Sequence, residues 1–432
     1  MNIENTQIAI FGLGHIGLPT AAILASNNIH VLGADINSTL VHNINNGLTS
    51  FDEPGLSELV KDAVKDNYLK ATTNLSGAAE ESNVMIVIVP TPINNDKEAD
   101  LSYVVSACES IKQGLSSGDL VIIESTVPPE TGVKVVKPIL EESGLVCGRD
   151  FYLAYSPERA LPNNTIYEMT HNVRIVGGYD KASADKASEL YSYITQSDII
   201  QVKDITSAEM VKLMENTYRD VNIALSNEFA LICEKIGVNV NEVISAANYH
   251  PRVNIHKPGP GVGGHCIPVD PYFLIEIAEN YGMDARLLKA SRGVNSDMPR
   301  HVYELLLSQL DSGCVHEDYR IGILGIAYKG NVDDVRETPS KDLIEILLDD
   351  NFNVVAHDPH VDKSVIESFN VDYCQYEDIF SCDCVILMCD HDEYKSIEPS
   401  MVKNNFIIIT RDLLDVERFR ENGVNAIAIG NF

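Results

Sequence analysis

Residues 7–17 read QIAIFGLGHIG, and this stretch decides the fold class of the chain. An apolar strand, Gln7–Phe11, runs directly into a G-x-G-x-x-G pattern, and a helical stretch follows to about Asn27. The pattern consists of Gly12, Gly14 and Gly17, with His15 and Ile16 before the last glycine. Glycines at this spacing permit a tight turn and the close approach of a pyrophosphate, which binds at the N-terminus of the following helix. These residues are therefore predicted to bind a dinucleotide.

An acidic residue follows where such a site requires one. A second strand, residues 29–34, ends at Asp35, which stands 18 residues beyond Gly17. A carboxylate at this position accepts hydrogen bonds from the adenosine ribose. Because it would also repel the 2′-phosphate of NADP, the sequence predicts NAD as the cofactor.

Further apolar strands continue the alternating pattern of an α/β sheet. Residues 84–89 are followed by Thr91, and residues 120–124 are followed by Thr126. Ligands bind beyond the C-terminal ends of strands in open α/β sheets, so both threonines are predicted to face the cofactor cleft. Ordinary turn chemistry is the alternative. Glu158 and Arg159 follow the next strand end in the same way.

A long helix comes next. Thr206 and Glu209 form a capping-box pattern, and a helical run extends to about Ile236, which is about 45 Å. Its apolar residues keep a helical period over the whole length, and such a stripe usually packs against a partner helix. A homodimer or a higher homo-oligomer is therefore predicted. Lys212 and Asn216 share one side of this helix, and a solvated pair is the alternative interpretation.

Residues 258–271 read PGPGVGGHCIPVDP and hold Cys266 in a loop of glycine and proline, with Asp270 four residues later. Such a loop is preformed, although it can also contain a cysteine by chance. Beside a nicotinamide site, a thiol favours oxidation at the aldehyde level: the thiolate adds to the carbonyl, a hydride leaves, and water releases the acid. Groups of the type needed to stabilise the oxyanion and activate water are Lys212, Asn216, Glu158 and Asp270.

A second α/β unit begins at Arg320. A strand, residues 320–324, leads into a glycine turn, a helix and another strand that is followed by Asp358. The arrangement repeats the N-terminal one but lacks the third glycine. Such a copy would suit a mononucleotide better than a dinucleotide, and simple structural duplication is the alternative.

Composition sets outer limits. A length of 432 residues predicts two or three domains, and the net charge of −31 argues against nucleic acids and anionic membranes as partners. No apolar run is long enough to span a bilayer and no signal pattern is present, so a cytoplasmic location is expected. Four of the nine cysteines cluster near the C-terminus, but they lack paired CxxC spacing and part of the cluster reads as a buried strand, so no metal is predicted.

Together these motifs resemble the UDP-glucose/GDP-mannose 6-dehydrogenase family over nearly the full chain. The matching elements are residues 12–17, residues 125–128 (STVP), residues 156–158 (SPE), the Lys212 and Asn216 helix, residues 263–266 (GGHC), and Lys329 with Arg336 in AYKGNVDDVRETPS. The resemblance implies two Rossmann-like α/β domains with parallel sheets, residues 1–203 and 313–432. A long central helix and a helical dimerisation region, residues 204–312, would bridge them.

The resemblance also implies an activity, a four-electron oxidation of the C6 alcohol of a nucleotide sugar to a carboxylate with two NAD⁺. Cys266 would be the nucleophile, Lys212 and Asn216 would stabilise oxyanions, Glu158 would assist thioester hydrolysis, and Asp270 would orient water or act as a base. Arg336 would reach toward the cofactor. Substrate-binding residues would include Arg159, Ala160, Lys212, Asn216, His250, Arg252, His256, Lys257, Gly263, Tyr328 and Lys329.

Two departures from the UDP-glucose branch favour an acetylated sugar. Arg159 stands where that branch has an aromatic residue, and residues 250–260 read HPRVNIHKPGP before the cysteine loop. Both resemble the N-acetylhexosamine branch, most closely its UDP-N-acetyl-D-mannosamine dehydrogenases, and the histidines and arginine would suit an acetamido carbonyl. UDP-N-acetylglucosamine and UDP-glucose stay open as substrates. A two-electron β-hydroxyacid dehydrogenase and a non-catalytic nucleotide-sugar sensor stay open as functions.

Overall fold

The computed structural model forms two compact units. It describes residues 6–51, 53–94, 96–161, 163–311, 314–402 and 406–431. Unit 1 comprises Met1–Glu215 and Tyr272–Gly282, and unit 2 comprises Asn216–Pro271 and Met283–Phe432. The three-part division with boundaries after residues 203 and 312 stays a prediction.

Unit 1 is built on an eight-stranded sheet. Its strands are β1 (Gln7–Phe11), β2 (His30–Ala34), β3 (Leu69–Thr72), β4 (Val84–Val87), β5 (Leu120–Ile123), β6 (Tyr152–Tyr155), β7 (Arg174–Gly178) and β8 (Ile199–Val202). Their order is β3-β2-β1-β4-β5-β6-β7-β8. The first six strands run parallel, as predicted, but β7 pairs antiparallel with β6, and β8 runs parallel to β7. The reversal of β7 places its first residue, Arg174, at the edge where β5 and β6 end.

Helices cover both faces of this sheet. They are α1 (Gly17–Ser26), α2 (Ser38–Asn45), α3 (Leu56–Lys65), α4 (Leu75–Glu80), α5 (Ser102–Gly114), α6 (Lys137–Glu141), α7 (Thr165–His171) and α8 (Lys181–Tyr191). Ile8 and Ile10 of β1 belong to one buried cluster, and Ala9 and Phe11 belong to another. Because successive strand residues point to opposite faces, an unbroken apolar strand such as β1 needs cover on both sides.

The long helix α9 (Ile205–Ile236) has 32 residues and continues from unit 1 into unit 2. The predicted capping box is wrong. Asp204, and not Thr206, caps the helix, because its carboxylate accepts a hydrogen bond of 2.8 Å from the backbone N–H of Ser207. The Glu209 side chain instead accepts bonds from two backbone N–H groups, those of Glu130 and Gly132.

Unit 2 repeats the strand order of the first six strands of unit 1. Its strands are β9 (Arg320–Leu324), β10 (Asn353–His357), β11 (Asp372–Tyr373), β12 (Cys384–Leu387), β13 (Phe406–Ile409) and β14 (Asn425–Ala428). Their order is β11-β10-β9-β12-β13-β14, and every pairing is parallel. The remaining helices are α10 (Val240–Ala247), α11 (Asp270–Asn280), α12 (Arg286–Leu307), α13 (Pro339–Asp349), α14 (Lys363–Glu367), α15 (Tyr376–Ile379) and α16 (Val416–Glu421).

The apolar stripe of α9 is only partly used within the chain. Leu213 is fully buried, and Phe229 packs against the core of unit 2. Five large apolar side chains of the helix are exposed, namely Met214, Tyr218, Leu225, Ile232 and Ile236. Among the described residues, none of the helices combines the length and the apolar character that a membrane span needs.

Candidate active site

The first glycine turn of unit 1 has the shape that a dinucleotide requires. Gly12 has a φ of +96°, and a Cβ atom there would lie 2.2 Å from the Ile88 carbonyl oxygen. A Cβ atom on Gly17 would lie 1.9 Å from the Gly12 carbonyl oxygen, whereas one on Gly14 would meet no described atom within 4 Å. The first and third glycines thus serve the packing of the turn, and Gly14 borders open space where a pyrophosphate can approach the backbone.

Asp35 is anchored but keeps acceptor capacity. One carboxylate oxygen accepts the N–H of Leu13 at 2.8 Å, and the other accepts the N–H of Asn37 at 2.8 Å. An ionised carboxylate has about four acceptor positions, so about two remain for ribose hydroxyl groups. His15, on the same turn, is exposed and its ring lies 4.3 Å from that of Phe51. The described residues therefore fit NAD.

The two loops that follow β4 and β5 are joined at the C-terminal edge of the sheet. The Thr91 hydroxyl donates to the carbonyl of Thr126 at 2.5 Å, and the Ser125 hydroxyl accepts the N–H of Val89 at 2.8 Å. Thr91 and Thr126 therefore lie at the predicted edge. Their contact with the cofactor stays a prediction.

Glu158 and Lys212 meet in unit 1. The Lys212 ammonium donates to the backbone carbonyl of Glu158 at 2.8 Å. One carboxylate oxygen of Glu158 accepts the backbone N–H groups of Arg159 and Ala160, at 2.6 and 2.8 Å. An ammonium group has three donors, so two remain on Lys212 for a substrate oxygen. Ala160 was predicted to bind the substrate, and this stays a prediction, but its backbone N–H is already bound to Glu158.

Arg174 holds the second carboxylate oxygen of Glu158 at 2.5 Å. Burial acts to raise the pKa of Glu158, but the charge of Arg174 and the hydrogen bonds outweigh it, and the pKa lies below its ordinary value. The neighbouring Arg159 guanidinium is also engaged, with Glu215 at 2.7 Å and with the carbonyl of Val173.

In unit 2, Cys266 lies just before α11 and is partly exposed. Its carbonyl oxygen accepts the backbone N–H of Asp270, the first residue of the helix, at 2.8 Å. The two glycines before it pack on Tyr328: a Cβ atom on Gly263 would lie 2.6 Å from Tyr328 Cβ, and one on Gly264 would lie 2.9 Å from the ring. Only glycine fits this approach, which explains the residue pattern of the loop.

A charged pair lies beside this loop. Arg336 donates to both carboxylate oxygens of Asp334, at 2.9 and 2.6 Å, and its carbonyl accepts the N–H of Gly264. The hydrogen bonds to Asp334 raise the pKa of Arg336, and Cys266 contributes in the same direction. Burial raises the pKa of Tyr328, followed by the charge of Asp334. Lys329, the next residue, is exposed.

Asn216 and Asp270 form a buried pair in the same unit. The Asn216 amide nitrogen lies 2.6 Å from a carboxylate oxygen of Asp270, and the two residues are 6% and 3% exposed. An amide has two N–H donors, so one remains on Asn216. Asn216, predicted to stabilise an oxyanion, and Asp270, predicted to orient water or act as a base, are thus in contact with each other.

A buried polar network, which sequence reasoning missed, anchors the cysteine loop. The Asn227 side chain accepts the N–H of Gly259 at 2.9 Å and donates to Asn295 at 3.0 Å. Asn295 donates to Asp220 at 2.8 Å, and Arg292 donates to the same oxygen at 2.5 Å. The sequence did contain a signal for this network, because polar residues occupy positions of α9 at which the helical period predicts apolar ones.

The residues that precede the cysteine loop, 250–257, differ in their burial and in their partners. His250 and Arg252 are exposed, and their side chains approach each other at 3.5 Å. His256 lies deeper, and its backbone N–H donates to the side-chain carbonyl of Asn222 at 2.9 Å. Lys257 pairs with Asp412 at 2.7 Å. A cavity of about 310 Å³ is lined by Asn241, Ile244, Ser245, Asn248, Ile255, His256, Lys257 and Asp412.

The second glycine turn, at Gly325, is paired with Asp358, and this acid differs from Asp35 of the first turn in its hydrogen bonding. Asp358 is 3% exposed and accepts five hydrogen bonds, which exceeds the about four positions of a carboxylate. The donors are the backbone N–H groups of Ile326, Ala327, His360 and Val361, and Nε2–H of His391. No capacity remains for a ribose, so this turn does not reproduce the dinucleotide site.

Comparison with known proteins identifies the family. Residues 6–195 match the NAD binding domain of the UDP-glucose/GDP-mannose dehydrogenase family, residues 206–297 its central domain, and residues 322–416 its UDP binding domain. The chain belongs to this family. It is an NAD-dependent oxidoreductase that acts on a UDP-sugar, and the predicted family, fold class and cofactor are confirmed.

Individual relatives cover the whole chain. The UDP-N-acetyl-D-mannosamine dehydrogenase of Methanococcus maripaludis is 42% identical over 441 residues, which covers 100% of this chain and 98% of that protein. The structure of a UDP-D-ManNAc dehydrogenase from Pyrococcus horikoshii is similar with a TM-score of 0.91 at 38% identity, over 98% of this chain and 99% of that one. A UDP-glucose dehydrogenase from Pyrobaculum islandicum gives 0.90 at 26% identity, over 100% and 99%. Fold similarity therefore does not decide the sugar.

Proposed function

We propose that the chain oxidises the C6 alcohol of UDP-N-acetyl-D-mannosamine to the carboxylate and reduces two NAD⁺ for each substrate. The observation that carries this proposal is the partly exposed thiol of Cys266, in a loop anchored by buried polar groups beside the Asn216 and Asp270 pair. A two-electron alcohol dehydrogenase has no use for such a thiol. The relatives named above and the departures from the UDP-glucose branch support the acetylated sugar.

The cofactor would be held at the Gly14 turn and by Asp35, for the reasons of space and acceptor capacity given above. When bound, NAD⁺ supplies a hydride acceptor for each of the two oxidations. The remaining chemistry belongs to side chains of this chain.

Cys266 acts at the aldehyde stage. Its thiolate sulfur forms a bond to the carbonyl carbon, and the carbonyl π electrons move to the oxygen. The second N–H of Asn216 and the two remaining N–H groups of Lys212 are suitable donors for that oxyanion. Loss of hydride from the same carbon restores the C=O bond and leaves a thioester on Cys266.

Hydrolysis of the thioester completes the reaction. Water adds to the thioester carbon, one of its protons passes to a base, and the carbon–sulfur bond breaks to give the carboxylic acid and the thiolate. The acid then releases the second proton to solvent and becomes the carboxylate. Three of the about four acceptor positions of Glu158 are filled, by Arg159, Ala160 and Arg174, which leaves one for this water. Asp270, fixed by Asn216, is the other carboxylate proposed to orient water.

The test is a panel of UDP-sugars with NAD⁺, in which NADH is measured by absorbance and the product by mass. We expect two NADH for each UDP-N-acetylmannosamine and much slower oxidation of UDP-glucose, because polar groups that expect an acetamido partner would stay unpaired. UDP-N-acetylglucosamine carries the same acetamido group with the opposite configuration at C2, so it is the main competing substrate. One NADH would indicate a two-electron enzyme, and none with any sugar would indicate a binding protein. Equal rates with UDP-glucose would refute the proposed sugar and leave the family unchanged.

A further inference from the structure

A buried guanidinium in unit 1 is shared by two carboxylates. Arg174 donates from one terminal nitrogen to Glu158 at 2.5 Å and from the other to Glu124 at 2.8 Å. Glu124 also accepts the hydroxyl proton of Tyr191 at 2.5 Å, and the guanidinium carbon lies 4.3 Å from the centre of that ring. The side chains of Glu124, Glu158 and Arg174 are at most 9% exposed.

The topology of the sheet explains how these groups meet. Glu124 and Glu158 follow the C-terminal ends of β5 and β6, and Arg174 is the first residue of β7, which runs the opposite way. A parallel β7 would place its first residue at the other edge of the sheet. The reversal therefore has a local result, because it brings one cation to two carboxylates at the edge where ligands bind in α/β sheets.

Arg174 determines which part of Glu158 remains available. The turn N–H groups of Arg159 and Ala160 occupy one oxygen of the Glu158 carboxylate, and Arg174 occupies one position of the other. The carboxylate plane is thus fixed from two sides. The backbone carbonyl of the same residue holds the Lys212 ammonium at 2.8 Å, so a rotation of this turn would move Lys212 as well.

We propose that Arg174 is a positioning residue for thioester hydrolysis, because it fixes the carboxylate of Glu158 and leaves one acceptor position for water. The inference rests on the proposed function. Arg174 does not touch the substrate in this scheme. Its planar fork bridges two carboxylates at once, which a lysine ammonium cannot do with the same geometry.

The charged groups around Glu158 determine the direction in which its pKa should shift when one of them is removed. The groups that face it are Arg174 on β7, Glu124 after β5, Tyr191 on α8 beyond Glu124, and Lys212 on α9 at its carbonyl. Arg174 favours the ionised form of Glu158, whereas burial disfavours it. Burial, with a smaller contribution from the charge of Glu158, raises the pKa of Glu124, so Glu124 takes up its proton before Glu158 does as the pH falls. Removal of the cation should therefore move the titration of Glu158 to higher pH, whereas removal of Glu124 should not.

The experiment uses the full-length enzyme with NAD⁺ and the UDP-sugar that the panel identifies. Hydrolysis is measured in single turnovers from about pH 3 to about pH 9, because the lowered pKa of Glu158 places the wild-type acid limb in the acidic part of this range. The thioester on Cys266 is followed by intact mass. In Arg174→Met we expect hydrolysis to slow roughly 10- to 100-fold, the thioester to accumulate, and the acid limb to move to higher pH. Arg174→Lys should recover part of the rate, and KM for NAD⁺ should change less than twofold in both, because the Gly14 turn is untouched.

Glu124→Gln keeps the shape of its side chain and is the matched control. It should leave the acid limb near its wild-type position, unlike Arg174→Met, because Glu124 is already protonated where Glu158 titrates. A folded Arg174→Met enzyme with the wild-type hydrolysis rate and pH profile would refute the inference. If Arg174→Met does not fold, Arg174→Lys takes its place: the wild-type hydrolysis rate and pH profile in that variant refute the inference, and slower hydrolysis with an accumulated thioester supports it. Failure of the proposed function looks different, because the wild-type enzyme itself would then form no acid.

Discussion

The amide nitrogen of Asn216 lies 2.6 Å from a carboxylate oxygen of Asp270, and both residues are buried. Asp270 is also the first residue of α11, and its N–H binds the carbonyl of Cys266. Asp270 thus connects the cysteine loop to the long helix α9. The thiol is held by a hydrogen-bonded frame and not by its own loop alone.

Replacing Asn216 with aspartate should disrupt its hydrogen bond with Asp270 in a pH-dependent way. In Asn216→Asp two buried carboxylates would face each other, and one of them must take up a proton. We expect thermal stability to fall clearly at pH 8 and to recover in part near pH 5, as shown by melting curves. Asn222→Asp is the matched control, because that amide on the same helix bonds backbone groups and no carboxylate. Equal melting profiles for the two variants would contradict the pairing.

Cys266→Ser should abolish acid formation and leave NAD⁺ binding intact. A serine hydroxyl is a far weaker nucleophile than a thiolate, and the glycine turn of unit 1 is not altered. Product analysis and NAD⁺ titration measure the two properties separately. Cys314→Ser changes the other partly exposed cysteine of the described chain and should behave like the wild type. Acid production by Cys266→Ser near the wild-type rate would exclude the covalent mechanism.

Asp35→Ser should reduce the preference for NAD over NADP. The change removes the ribose acceptor and the charge that repels a 2′-phosphate, so the ratio of kcat/KM values should fall by roughly tenfold or more. The bond to the Leu13 N–H is also lost, which should lower stability slightly. Asp62→Ser, an exposed position on α3, serves as the control. An unchanged ratio would show that Asp35 does not face the ribose.

Glu209 should make stability depend on pH. Burial raises the pKa of Glu209 from 4.5 to about 7, so the folded state keeps this proton more readily than the unfolded chain does. Its contribution to the free energy of unfolding should therefore fall as pH rises from about 4.5 to about 7, by about 3 kcal/mol in total. Urea unfolding of the wild type and of Glu209→Gln at several pH values gives the difference. Glu228→Gln, exposed on the same helix, should not change the slope.

The exposed stripe of α9 should support self-association. Leu225 and Ile232 are 44% and 51% exposed and stand two turns apart on the helix. A charge in a buried apolar interface is unfavourable, so Leu225→Glu with Ile232→Glu should lower the oligomeric state in light scattering. Lys181→Glu, on the exposed side of α8, is the control for the charge change. A wild-type chain that is monomeric at micromolar concentration would remove the homo-oligomer prediction.

The features that sequence predicts are those fixed by near neighbours in the chain. The Gly12 turn and the strand ends at Asp35 and Thr91 depend on local glycine spacing and alternation, so they could be predicted directly. The cysteine loop was recognised from its own glycines and prolines, but its packing on Tyr328, much later in the chain, was not predicted. The role of Glu209 could not be predicted from the sequence. Its partners lie 77 and 79 residues earlier, and the same residue satisfies a local capping pattern that Asp204 takes over. Arg174 was missed for a similar reason, because its position depends on the reversal of a strand.

All acceptor positions of the Asp358 carboxylate are filled by donors of the protein, and this has a kinetic consequence. Of the glycine turns that open the two α/β sheets in the described chain, only the one at Gly14 leaves acceptor capacity for a dinucleotide, so under the proposed mechanism both oxidations of one sugar would use a single cofactor site. NADH would then have to leave, and NAD⁺ would have to bind, between the two half-reactions. During that exchange the proposed sulfur–carbon bond to Cys266 would hold the substrate covalently and keep a reactive aldehyde from escaping into the solvent. On this view the thiol confers processivity as well as reactivity.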